Sequence, residues 1–113
     1  MDEDEIYEKL RLELRRGALV LAVLASLTDE HYGYSLRKQL NEKDIEIDEG
    51  TLYPLIRRLE KQGLLESEWR EESKRKKRFY RLSALGQTTL TRLLKEWQQM
   101  NNSITTLVEG VSP

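Results

Sequence analysis

Asp48 to Gly63, DEGTLYPLIRRLEKQG, separates into two faces when wound as a helix. Leu52, Leu55, Ile56 and Leu59 fall at i, i+3, i+4 and i+7, the spacing of one buried stripe. The opposite face carries Pro54, Arg57, Arg58 and Lys61, with Thr51 and Tyr53 on its flanks. Apolar packing and cationic groups point in opposite directions, so one face holds a fold and the other is free to hold a polyanion. Asp48 or Thr51 is the candidate N-cap, Pro54 is tolerated near the first turn, and Gly63 is a stop signal.

The neighbouring segments turn this helix into a specific arrangement. Upstream, Tyr34 to Glu42 reads as a short helix with Leu36 and Leu40 on one side, followed by a brief connection through Asp44 to Ile47. That is helix, turn, helix. Downstream, Leu64 to Arg70 and Arg78 to Leu82 read as two strands around a charged tip, Glu71 to Lys77. The expected fold is mainly α with a small two-stranded β wing: a winged helix-turn-helix, in which the second helix enters the major groove and the wing rests on phosphates. Arg57, Arg58 and Lys61 are candidate DNA contacts, with Thr51, Tyr53 and Pro54 beside them. Lys74, Arg75, Lys76, Lys77 and Arg78 are the candidates in the wing. Trp69, Phe79 and Tyr80 are read as wing core and strand-pairing residues.

The overall charge is −1 and the pI about 5.9, which evenly spread would oppose nucleic acid. The spread is uneven. Trp69 to Arg81 holds Arg70, Lys74, Arg75, Lys76, Lys77, Arg78 and Arg81 against Glu71 and Glu72, whereas Met1 to Lys9 is acidic. Counterion release depends on the patch that meets phosphate, so an acidic average does not exclude DNA.

At 113 residues with 38% hydrophobic content, the chain is sized for one modest core. Residues 1–83 are expected to hold an N-terminal helix and the DNA-binding domain, and 84–113 a C-terminal dimerisation helix, as one compact unit. Glu5 to Ser26 reads as the first helix, its Ile6, Leu10 and Leu14 facing a partner and its LVLAVLASL half lying at the centre of the domain. From Ala84 onward Leu90, Leu93, Trp97, Met100, Ile104, Leu107 and Val111 repeat at alternating spacings of three and four, a heptad seam. A helix through Glu109 would be about 39 Å long, too long to pack on its own domain, so a homodimer is expected. Such a dimer sets two recognition helices about 34 Å apart and calls for an inverted-repeat operator on double-stranded DNA.

Thr28 to Gly33 is read as a turn delivering Tyr34, Ser35 and Lys38 to the start of the second helix, where free N–H groups suit phosphate. Those three are DNA-backbone candidates; packing alone is the other reading of Tyr34. His31 is the one histidine and lacks a nucleophile or metal set around it in the sequence. Without cysteine, a G-x-S-x-G elbow or a phosphate-binding glycine loop, an enzyme is not expected, and neither is a cofactor or metal. The acidic start and the lack of a long apolar run point to a cytoplasmic protein with no membrane partner. A winged protein-interaction module without specific DNA binding is the alternative class, but it has no use for a basic wing.

The stretches GYSLRKQL, EGTLYPLIRRLEKQGLLES and RFYRLSALG, in that order and spacing, resemble the PadR family of bacterial transcriptional regulators over roughly Leu14 to Gly86. The resemblance implies a dimeric winged-helix repressor whose hold on DNA is released by a small molecule. The chain departs from the family at the wing tip, where many members carry Gly or Pro and this one has KRKKR. Short members with a single C-terminal helix can have a pocket at the dimer centre where aromatic side chains sandwich flat, drug-like ligands. That makes Trp97 and Met100 candidate effector residues; the simpler role for Trp97 is an interface anchor.

Overall fold

The computed structural model describes residues 1–110, which form four helices and one small antiparallel sheet. The order is α1 (Glu3–Ser26), β1 (His31–Tyr32), α2 (Gly33–Glu42), α3 (Glu49–Lys61), β2 (Leu65–Glu72), β3 (Arg75–Leu82) and α4 (Ala84–Glu109). The fold is the expected mainly helical winged helix-turn-helix. Its sheet has three strands, not two, in the order β1-β3-β2. Residues His31 and Tyr32, expected in a turn, pair with Tyr80 and Phe79 of β3 and tie the start of α2 to the wing.

Local chemistry sets the helix ends. Asp2 caps α1 by accepting from the Glu5 N–H at 2.8 Å, and Glu3, Asp4 and Glu5 complement the dipole in the first turn. Asp44, at φ 63°, ends α2 in a Schellman arrangement: the Ile45 N–H reaches the Leu40 carbonyl at 2.9 Å and the Asp44 N–H that of Asn41 at 3.1 Å. Gly63, at φ 83°, does the same for α3, with Leu64 bonding to Leu59 and Gly63 to Glu60.

Of the two cap candidates for α3 the structure uses Asp48, which accepts from the Thr51 N–H at 3.2 Å. Pro54 therefore sits in the second turn, deeper than expected, where it removes the N–H that would bond the Gly50 carbonyl. The bond from Thr51 also holds the Asp48 carboxyl below the ordinary aspartate value of 3.8. A depressed native pKa means that the stability contributed by the charged cap is present above that value and fades as the pH falls through and below it. Asp48→Asn, which caps without titrating, is expected to leave the melting temperature near pH 7 almost unchanged and to flatten its fall in acid; parallel thermal melts from pH 7 to 2.5 check this.

One apolar cluster holds the domain: Val23, Leu24 and Leu27 of the α1 region, Leu36, Leu40 and Ile47, then Leu52, Ile56 and Leu59 of α3, with Leu65, Leu82 and Leu90 closing it. The α3 stripe is as its spacing predicts, with Leu55 packed at its edge. Leu90 is 7% exposed and belongs to this core, which corrects its place in the intersubunit seam. Ser83 joins wing to α4: its hydroxyl accepts from the Gly86 N–H at 3.0 Å and donates to the Gly63 carbonyl at 2.6 Å.

The two long helices project beyond this body. Ile6, Leu10 and Leu14 on α1 are exposed, as are Trp97, Met100, Ile104 and Leu107 on α4, with Leu93 at the boundary. The radius of gyration is 16.9 Å, against about 13 Å for a compact chain of this length. Val111, the last position of the seam, lies outside the described residues.

Candidate nucleic-acid interface

The wing is longer and tighter than its sequence implies. Glu71, Glu72, Arg75, Lys76 and Lys77 are strand residues, and the turn is Ser73-Lys74 alone. Both turn residues are left-handed, with φ of 53° and 65°, the two-residue geometry that follows strand twist without splaying the hairpin. The expected seven-residue tip is thereby corrected, and the basic run lies along the ladder.

Alternation then divides the charges between two faces. On the side away from α3, Arg70 pairs with Glu30 at 2.5 Å and with Glu68, and its guanidinium stacks 4.6 Å from the centre of the Phe79 ring. Arg81 reaches Glu66 at 3.2 Å and Glu30 at 3.7 Å. Hydrogen bonding from Arg70 holds the Glu30 carboxyl below its usual range, and the same bonds push the arginine upward. Lys77 lies 3.4 Å from Glu72 and 4.3 Å above the Tyr32 ring. Most of the positive balance read from the sequence is thus internally neutralised. Among the described residues, Lys74, Arg75 and Lys76 make no ion pair, and they surround the turn.

On α3, Arg57, Arg58 and Lys61 are exposed and likewise make no ion pair among the described residues, with Pro54 and Thr51 exposed beside them. Tyr53 is half-buried because its ring lies on the backbone of Gly33. Between α3, the start of α2 and the inner face of the wing is an open cleft of about 520 Å³, with Tyr34, Tyr53, Arg57, Trp69, Lys76 and Arg78 on its walls. The structure brings these predicted residues together. Trp69, expected in the wing core, is instead 63% exposed at this cleft, while Phe79 is buried and desolvation raises the half-buried Tyr80 phenol above its ordinary pKa.

Three predicted contacts are placed differently from the rest. Arg78 is bound to Glu60 and Ser67. Ser35 is saturated by its own helix end: its hydroxyl accepts from the Tyr32 N–H at 3.1 Å, donates to the Tyr32 carbonyl at 3.0 Å, and faces His31 Nδ1 at 3.0 Å. Lys38 is exposed one turn further along α2, beside Tyr34, at a separate shallow groove.

Gly33 is a residue the sequence reading passed over. A Cβ there would lie 2.6 Å from Cε1 of Tyr53, so only glycine lets that ring close the cleft. Because the obstacle is the far end of a side chain, Gly33→Ala is expected to fold but to displace Tyr53, weakening DNA binding by about 1 kcal/mol, the size of one lost contact. Anisotropy titration beside a thermal melt separates the two effects.

Trp97 and Met100 stand on the outward side of α4, 50% and 60% exposed. The shallow cleft on that helix, about 500 Å³, is lined by Thr89, Arg92, Leu93, Lys95 and Glu96 and includes neither.

A helix with an unpaired cationic face, set beside a hairpin whose turn is ringed by free lysine and arginine, defines a DNA-binding protein of the winged-helix class. The comparisons make this specific. Residues 20–92 match the model of the transcriptional regulator PadR-like family, and the chain belongs to that family. A PadR family transcriptional regulator from Eggerthella lenta, known from its crystal structure, is 42% identical, covers 94% of this chain and 95% of its own, and superposes with a TM-score of 0.86. A PadR-like transcription factor from Bacteroides fragilis is 28% identical over 88% of this chain and 98% of its own, with a TM-score of 0.75. A transcriptional regulator of Mycobacterium tuberculosis is 39% identical over 80 residues, 70% of this chain and 75% of its own. The chain is a transcriptional regulator and not an enzyme.

Proposed function

We propose that the chain acts as a cytoplasmic, dimeric, sequence-specific repressor on an inverted-repeat operator. The observation that carries this is the placement of free cations: Arg57, Arg58 and Lys61 on α3, and Lys74, Arg75 and Lys76 around the wing turn. The first set suits base edges in the major groove and the second suits phosphates. Arginine beside a guanine edge gives bidentate recognition, whereas a lysine or arginine at a turn supplies position-independent attraction.

Dimerisation is supported by the exposed seam. Leu93, Trp97, Met100, Ile104 and Leu107 remain uncovered on one helix, and Ile6, Leu10 and Leu14 on the other. Between Trp97 and Val108 there is not one charged side chain, so this surface is better matched to a second copy of itself than to water. No helix of the described residues is long and apolar enough to cross a membrane.

Release by a small aromatic ligand is the finer part of the reading. Trp97 and Met100 would face such a ligand across the subunit junction, and the ligand must prefer one dimer arrangement over the other to act, a coupling of typically about 1 to 3 kcal/mol. The deciding experiment is anisotropy of the protein against its own upstream DNA and a scrambled duplex at two salt concentrations, with sedimentation in parallel. A dimer with a salt-sensitive preference for upstream DNA supports the repressor; equal weak binding to both duplexes removes autoregulation, and an unbiased DNA selection that enriches nothing removes specific recognition. Drug-like aromatics that neither quench Trp97 nor alter DNA affinity remove the ligand.

A further inference from the structure

Arg78 is the wing cation that reaches the recognition helix. Its Nε–H donates to Ser67 Oγ at 2.9 Å, and Nη2 donates to both carboxylate oxygens of Glu60, at 3.0 and 3.1 Å. Ser67 Oγ also donates to Glu60, closing a three-residue ring between α3, β2 and β3. The guanidinium lies 5.7 Å from the centre of the Trp69 ring and 5.6 Å from that of Tyr80. The ladder explains the convergence: Arg78 is the partner of Trp69, and Tyr80 is the partner of Ser67 two positions along the same face.

Glu60 comes from the recognition helix, on the turn after Arg57. Among the described residues, every side-chain hydrogen bond between α3 and the hairpin runs through it. The hairpin is also seated at its root by Leu65 and Leu82, and β1 and the Arg70–Glu30 pair tie it to the segment before α2; the Glu60 ring is the polar link that joins the outer wing to α3 itself. For Arg78 to reach a phosphate it must leave Glu60, and that would expose an uncompensated carboxylate beside the DNA face.

We propose that Arg78 is a positioning residue and not a phosphate ligand: with Glu60 and Ser67 it fixes the wing against the recognition helix, so that helix and wing meet the groove and the backbone in one register. This rests on the DNA-binding reading above and adds to it a cause of specificity that touches no base. Holding two contact surfaces in a fixed relation makes their contributions simultaneous, whereas a free wing would bind phosphate at any register.

The sign of one substitution separates this from simple electrostatics. Glu60→Ala removes a negative charge beside the DNA face. Charge alone then requires tighter binding to every duplex. The lock requires the reverse for the operator: a loss of about tenfold in preference over scrambled DNA, in the range of coupling between contacting residues, with scrambled binding unchanged or stronger. Arg78→Gln is expected to lose the same preference while keeping the wild-type salt slope, and the pair Glu60→Arg with Arg78→Glu to regain part of it. Tighter binding to all DNA by Glu60→Ala, or a salt slope in Arg78→Gln reduced by about 0.9, overturns the proposal, the second because it marks a phosphate contact.

A measurement without DNA keeps the two readings apart. In a Trp97→Phe background Trp69 is the sole tryptophan, and its time-resolved anisotropy reports the motion of the wing beside Arg78. Adding Glu60→Ala to that background is expected to increase the fast depolarisation of Trp69. An unchanged decay overturns the lock whatever the protein does with DNA. An increased decay, beside an unsubstituted chain that selects no DNA sequence, sustains the lock and overturns the operator reading.

Discussion

Gly86→Ala is expected to lower the stability of the fold by about 3 kcal/mol, the upper end of what overpacking a close interior contact costs. Gly86 is buried at the first turn of α4, where its α-carbon faces the backbone carbonyl of Leu64 at the start of the hairpin. A Cβ there would overlap that oxygen and crowd the Leu82 side chain at 3.1 Å. Backbone cannot rotate aside as Tyr53 can beside Gly33, so α4 must lift, breaking the pair of bonds through which Ser83 ties Gly86 to Gly63. For a domain of this size the melting temperature should fall by roughly 10 to 20 °C. A drop of less than about 3 °C in a calorimetric scan would mean that α4 seats differently on the hairpin.

Removing the free cations of the wing turn is expected to have the largest effect on DNA. The triple variant Lys74→Asn, Arg75→Gln, Lys76→Gln should weaken specific and scrambled duplexes alike, on the order of a hundredfold, and lower the salt slope by about 2.7, or about 0.9 for each phosphate contact. Asparagine at position 74 keeps the left-handed turn accessible, so the hairpin itself should persist. On α3 the expectation differs in kind: Arg57→Ala or Arg58→Ala should relax base discrimination by ~1 to 3 kcal/mol at one position of the site, with a small effect on scrambled DNA. If both kinds of variant erode specificity equally, helix and wing have been given the wrong roles. Including Lys77 in the wing set should add little, because its charge is already engaged by Glu72 and the face of Tyr32.

The recognition helix was legible because its signal is local. Leu52, Ile56 and Leu59 alternate with cations at helical period, and Gly63 stands where only a left-handed residue ends the helix by a Schellman turn. The hairpin was legible in existence but not in extent. From Glu71 to Lys77 each residue is charged or small, so no apolar alternation marks the strands, and Ser-Lys is a rare choice for two consecutive left-handed positions. The two-residue strand His31–Tyr32 was hidden for another reason: its partners lie almost fifty residues downstream, and two residues carry no periodicity.

The site was legible in sign but not in detail. Composition gave the wing its positive balance, but which cations are free depends on pairings such as Glu30 with Arg70 and Glu60 with Arg78, made across long separations in the chain. Leu90 and Leu93 obey the same heptad spacing, and only the point at which α4 leaves the body distinguishes the core residue from the exposed one.

The stretch of α4 from Trp97 to Val108, which carries no charged side chain, has a further consequence for the proposed dimer. Pairing through this seam is a bimolecular step, so the amount of DNA-competent protein depends on how much chain the cell contains. Below the dissociation constant the concentration of paired chains falls with the square of the total, and a twofold dilution by growth without synthesis would lower it to about a quarter. Occupancy of the operator would then report abundance more steeply than a monomer could, giving the promoter a threshold set by the exposed seam of Trp97, Met100, Ile104 and Leu107.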